Sequence, residues 1–213
     1  SLNNSYTNPV VVGSLRYPRN IASPNQPAAR VFNKGATSFD VKADNFSNDS
    51  TGASTFDYIV MEAGEYLMDD NGDGVRVFAT STAVAAIAGS NIPTDPGGLD
   101  IAFPTSFSGA PSVFTMVTTN NDPQWVVSSV YDGNDIGNPP TATQVSLYLN
   151  DNLDSNGHGS VEDIDVIAFD VSSGENNSIN FTMQNTAADV TDTPNTKTFS
   201  PAFGGVPGVI LTQ

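Results

Sequence analysis

The chain has no cysteine, a single histidine, a single tryptophan and only seven lysine and arginine residues among 213. Without cysteine there are no disulfides, no iron–sulfur clusters and no thiol chemistry, and the redox compartment stays undecided. The lone His158 sits between Gly157 and Gly159 in a polar loop, away from any serine–carboxylate pairing, so a catalytic triad is not expected. Against the few cations stand 23 aspartates and glutamates, giving a net charge of -16. Such a surface repels nucleic acid and anionic membranes. No run is apolar enough for a signal peptide or a membrane helix, and the start at Ser1 gives the expectation of a mature or excised fragment.

The charge is uneven. From Val77 to Thr196 there is no lysine or arginine but fourteen acidic residues, while Arg16, Arg19, Arg30, Lys34, Lys42 and Arg76 all precede that stretch. Two readings stand: a solvated acidic surface, or the basic front of one molecule meeting the acidic body of another, hence self-association. Abundant Asn, Thr, Ser, Gly and Asp with only four Glu describe a turn-rich β protein suited to a salty or calcium-containing medium outside the cell or on its surface. Five Asn-x-Ser/Thr sequons, at Asn3, Asn45, Asn48, Asn176 and Asn180, carry glycans only if the source glycosylates them.

An internal repeat of about one hundred residues organises the chain. Phe103, Phe107, Pro111 and Val113 recur at the same steps as Phe199, Phe203, Pro207 and Val209, and Asn8-Pro9-Val10-Val11-Val12 supplies a third copy of the proline and its strand. Downstream, Arg30-Val31-Phe32 and Thr37 to Asp44 match Trp125 to Tyr131 and Gln144 to Asn150. Phe56 to Glu62 then matches Ile164 to Asp170. The former segments alternate apolar and polar residues as strands do, and the last pair reads as an apolar strand that closes each unit with an acidic residue.

The sequence thus predicts an all-β chain of antiparallel six-stranded sandwich units. The complete one spans 75–172, with strands near 75–79, 99–104, 111–117, 125–131, 144–150 and 164–171. Residues 1–66 form the last four strands of another unit, near 10–15, 28–33, 38–45 and 56–62. Residues 67–74 form an acidic linker, and 173–213 the first two or three strands of a further unit. An incomplete sandwich leaves strand edges and core open, so the C-terminal strands are expected to complete the front unit, in cis or by exchange between molecules.

The proline-led strand, Val31-Phe32, Ser38-Phe39-Asp40-Val41 and the aromatic-Ile-Val strand ending Met61-Glu62-Ala63-Gly64 resemble the H-type lectin-like repeat of large bacterial surface proteins. The resemblance runs to about Tyr66 and, more loosely, over the middle unit. It implies a six-stranded antiparallel sandwich, carbohydrate binding in some members, adhesion or scaffolding in others, and oligomers. Loops 120–122 and 132–138 and the acidic linker have no counterpart in the family, and no sugar-binding residue is carried over.

Three sets of residues are candidates for chemistry. Asp69, Asn71 and Asp73, ahead of Gly74, fit the first half of a calcium loop, although its twelfth position would be Thr80 in place of a bidentate glutamate; a plain acidic turn is the other reading. Asp151, Asp154 and Asn156 crowd oxygen donors before the last strand of the middle unit, as a second calcium site or a turn-rich hairpin loop. Trp125, Tyr131 and Tyr148, on neighbouring strands, form either a stacking platform for a sugar ring or part of the core. Calcium is therefore the one cofactor the sequence points to. The acidic pairs Asp163/Asp165 and Glu62/Glu65 are the only suggestion of glycoside hydrolysis. Asp163 and Asp165 are expected to point outward beside an inward Ile164, so no enzyme is expected.

The function expected is an extracellular, non-enzymatic binding or adhesion module touching a glycan or a neighbouring surface protein. The alternative is a structural subunit of a filament, surface layer or viral particle assembled by strand complementation.

Overall fold

The structure, a computed structural model, describes residues 2, 4–16, 27–44, 54–68, 74–84, 99–121, 125–131, 140–150, 160–171, 173–176, 179–185, 196, 198–199 and 202–210. Among them every element is a strand and every ladder is antiparallel. The front contributes β1 (Pro9–Arg16), β2 (Ala28–Phe32), β3 (Asp40–Asp44), β4 (Thr55–Glu62) and β5 (Gly64–Met68). The middle contributes β6 (Val75–Val84), β7 (Leu99–Ala102), β8 (Ser112–Val117), β9 (Val127–Tyr131), β10 (Gln144–Asn150) and β11 (Glu162–Phe169). A hairpin of β12 (Ser173–Asn176) and β13 (Ile179–Thr182) follows.

The strands stack in layers around a four-stranded sheet of order β5-β6-β11-β8. A sheet of order β7-β10-β9 covers one face, and the core between them holds Phe103, Phe107, Leu147, Ile164 and Val166. On the other face lies the β1-β4 ladder with β2-β3, around Val10, Val11, Val12, Val31, Ile167 and Phe169. Side chains alternate between faces along a strand, so a strand covered on both sides reads as an unbroken apolar run. Val166-Ile167-Ala168-Phe169 is such a run, and each of the four is at most 2% exposed. On β10, by contrast, Val145, Leu147 and Leu149 alternate with Gln144, Ser146 and Tyr148, and only the former join that core.

β5 extends the central sheet, pairing Gly64 with Ala79 and Met68 with Val75. Residues 67 and 68, expected in the linker, therefore belong to a strand. Gly74 takes φ of 60°, a conformation glycine adopts without steric cost.

The pairing registers reproduce the repeat rung by rung. β1-β4 pairs Val10 with Met61, and β8-β11 pairs Ser112 with Phe169, which is the same rung after shifts of 102 (10 to 112) and 108 (61 to 169) residues. β2-β3 pairs Ala28 with Asp44, and β9-β10 pairs Val127 with Asn150, by shifts of 99 and 106. The acid closing each repeat does the same work: Glu62 accepts from the backbone N–H groups of Thr7 and Asn8, and Asp170 from that of Ser108, just ahead of the proline-led strand. Two strands lack a counterpart. β11 is flanked by β6 and β10 by β7, whereas β4 and β3 have one partner each among the described residues. Residues 202–210 of the tail, where further strands were expected, join no ladder.

Two substitutions probe this packing. Ile167→Ala, at a site with 0% exposure, is expected to cost about 2–5 kcal/mol in urea unfolding. A methyl group at Gly13 would fall on the Asp57 carbonyl and the Phe56 ring, so Gly13→Ala should cost about 1–3 kcal/mol.

Candidate functional site

Two sites lie where the front strands meet the middle ones: a pair of buried carboxylates and a cleft. The carboxylates belong to β11. Glu162 and Asp165 are both 0% exposed, and a carboxylate there is tolerated only with opposite charge and hydrogen-bond donors around it. Arg30, from β2 and itself 1% exposed, donates through Nη2 to Glu162 Oε1 at 2.7 Å. Thr119 Oγ1 and the Asn121 N–H complete that carboxylate, and Arg30 Nη1 donates to Asn120 Oδ1 at 3.1 Å.

Lys34, just beyond β2, places Nζ 2.5 Å from Asp165 Oδ1 and 3.3 Å from Ser81 Oγ. The Val11 N–H donates to Asp165 Oδ2 at 2.7 Å and Thr118 Oγ1 to Oδ1 at 3.1 Å. Burial raises the Asp165 pKa, and Lys34 and the donors only partly oppose it. The outward orientation expected of Asp165 is thus overturned, because β1 covers that face of the sheet and the carboxylate meets cations from the front instead of solvent. Its counterpart one repeat earlier, Asp57, keeps the outward setting, half-buried, with Arg16 Nε 2.6 Å away.

The cleft, of about 1070 Å³, opens beside these groups. Its walls are Gly13–Arg16 of β1, the entry to β2, Thr115–Val117 of β8, Val127–Ser129 of β9, Trp125 and the tail segment Val206–Val209. The Val11 N–H turns away from β4 toward Asp165. Alternation along the strand turns the backbone groups of Gly13 and Leu15 the same way, so the free edge of β1 faces the cleft. Hydroxyls of Thr115 and Ser128 bond to each other at 2.8 Å on the opposite wall. Among the described residues the charges lining the cleft are those of Arg16 and Asp57, which neutralise one another. The Trp125 indole Nε1 is buried and has no hydrogen-bond partner among the described residues.

Of the residues the sequence singled out, Trp125 lines this cleft. Tyr148 is half-buried on β10 opposite Ser129 and does not line it. Tyr131 ends β9 opposite Ser146, and its side chain lies outside the described residues. So do the calcium candidates Asp69, Asn71, Asp73, Asp151, Asp154 and Asn156. No cluster of three or more metal-binding side chains occurs among the described residues. Glu65 pairs with Arg76 at 2.8 Å and accepts from Thr105, while Glu62 is engaged with Thr7 and Asn8.

Sequence reasoning missed Arg30, Lys34 and Glu162 as partners. The usable signal was the apolar run after Asp165: a strand covered on both faces leaves no outward side for an acid within it.

Comparison of the chain with protein-family models, with curated proteins and with solved structures finds no match.

Removing either buried acid while leaving its cation should be severe. Glu162→Ala and Asp165→Ala are each expected to cost about 3–5 kcal/mol by urea unfolding. Titration gives a separate check. Because the folded state holds the Asp165 proton more tightly than the unfolded chain, this group favours folding at low pH. That contribution is lost as pH rises from about 4 through the raised folded value. Between pH 4 and 7 the parent should therefore lose more stability, or gain less, than Asp165→Asn; parallel curves would remove Asp165 as the titrating group.

Proposed function

We propose that this protein is a non-enzymatic, extracellular binding or adhesion module whose cleft at Trp125 takes a neutral, hydroxyl-rich ligand of glycan type. The observation that carries the reading is Trp125 at a cleft whose described lining offers hydroxyls and one self-neutralised charge pair. The indole face packs on the CH groups of a sugar ring, and the hydroxyls of the wall offer donors and acceptors to those of the ring. Among the described lining residues a charged ligand meets no unpaired counter-charge. The extracellular setting is supported by the composition and by the resemblance to lectin-like surface repeats, and calcium at 69–74 would stiffen the β5-β6 hairpin.

A glycan microarray followed by titration calorimetry tests the site. Trp125→Ala should abolish binding. Trp125→Phe keeps a smaller aromatic face and should weaken binding about 2- to 10-fold. Wild-type affinity in Trp125→Ala would place the ligand elsewhere. Melting in millimolar calcium and then in chelator tests the metal, since a ligand of the folded state raises stability; identical melts would delete calcium from the proposal.

A second reading, a structural subunit assembled by strand complementation, is favoured by the two strands that the front repeat lacks.

A further inference from the structure

Two half-filled repeats sit at opposite ends of this chain, and each exposes what the middle repeat buries. In the front, Val41 stands at the rung of Leu147 and Tyr58 at that of Val166. Leu147 and Val166 are 0% exposed, whereas Val41 is 40% and Tyr58 45% exposed. Phe56 stands at the rung of Ile164, Phe39 directly precedes β3 at the position that Val145 holds by the shift of 106 residues, and with Tyr58 they form an aromatic cluster with centroids 5.1–6.2 Å apart.

The tail shows the converse. Phe199 and Phe203 follow Phe103 and Phe107 by 96 residues and form the same edge-to-face pair, at 5.4 Å against 4.8 Å. Phe103 and Phe107 lie in the core of the middle repeat, which also holds Val145, Leu147, Ile164 and Val166. Phe199 is 39% and Val209 43% exposed, where Phe103 and Val113 are 7% and 5%.

We infer that the tail of one molecule fills the front repeat of a second copy of this chain, seating the donor's Phe199 and Phe203 against the acceptor's Val41 and Tyr58. The inference rests on the second reading above, assembly by strand complementation, and names its donor and acceptor. A second copy is the occupant because within one chain Val206–Val209 line the cleft at Trp125 while Val41 and Tyr58 stay exposed. The register offers a polar contact as well. In the middle repeat Ser146 faces Asp100 across the ladder and donates its hydroxyl to that carboxylate. The same rung between copies brings Asp40, at the place of Ser146, opposite Thr196, at the place of Asp100, so the hydroxyl–carboxylate pair recurs with its members exchanged. Lys197 stands where Ile101 does, so apolar seating falls to the phenylalanines.

The chain has no cysteine, which makes directed disulfides a clean test. Residues directly opposite in an antiparallel ladder lie within bridging distance. Asp40→Cys and Thr196→Cys, both at exposed sites, are mixed under mild oxidation with Val161→Cys as control. Light scattering follows assembly of the unmodified chain over the same concentrations. The expected result is concentration-dependent assembly with a disulfide between Asp40→Cys and Thr196→Cys and none to the control. Phe203→Ser should weaken assembly at least tenfold with the melting temperature unchanged.

Assembly without that disulfide would overturn the donor and acceptor named here and leave assembly itself standing. A chain that stays monomeric and uncrosslinked at every concentration would overturn both. A disulfide formed within one molecule carrying both substitutions, at a dilution where it is monomeric, would show the tail folding back in cis and sink the second-copy occupant.

Discussion

A carboxylate sealed from water has to be met by cations and donors, and in this protein the two that are sealed lie on the central strand while their cations come from the front of the chain. Arg30 and Lys34 stand 132 and 131 residues from Glu162 and Asp165 in sequence. Replacing such pairs by apolar residues often costs nothing, so they are poor sources of net stability. They do penalise every arrangement that leaves one charge buried alone. The docking of β1 and β2 against β11 and β8 is selected in this way, since a shifted front would strand both acids. The Val11 N–H adds a directional constraint, because Asp165 there takes the place of a neighbouring strand along the free edge of β1.

The same constraint explains why two copies of one repeat behave differently. Asp57 and Asp165 occupy one rung of equivalent ladders, and each interacts with the residue two beyond its partner, Arg16 in the first case and Thr118 in the second. Asp57 meets a half-solvated arginine on an open wall of the cleft. Asp165 has been covered by the first copy and needs a buried lysine and a backbone N–H. Sequence duplication set the position of the acid, and packing of one copy on the other set its chemistry. The cleft arises from the same packing, as the space left where β1, free on one edge, meets β8 and β9, each a sheet edge as well.

Much of the strand order was legible because the alternation in segments such as Gln144 to Asn150 reports one buried face directly, and proline, glycine and asparagine mark the turns between. β5 was not legible. Gly64 to Tyr66 reads as the end of the front unit and Leu67 and Met68 as the start of an acidic linker, and only pairing with β6 makes the segment a strand. Trp125 was legible as a site candidate by residue type alone. Tyr148 does not share the cleft, since successive residues of a strand point to opposite faces and Tyr148 alternates with the core residues Leu147 and Leu149.

By itself the sequence determined that the chain is all-β, that it repeats at about one hundred residues, and where most strands lie, because local periodicity and turn chemistry encode these without reference to distant residues. It also determined the net charge of -16. Only the tertiary structure decided that the repeats pack back to front on a shared central sheet, that Glu162 and Asp165 are buried against Arg30 and Lys34, and that Trp125 faces a cleft shared with β1. Those facts depend on which faces of the strands are covered. Coverage is a property of contacts between segments more than a hundred residues apart, on which the local pattern is silent.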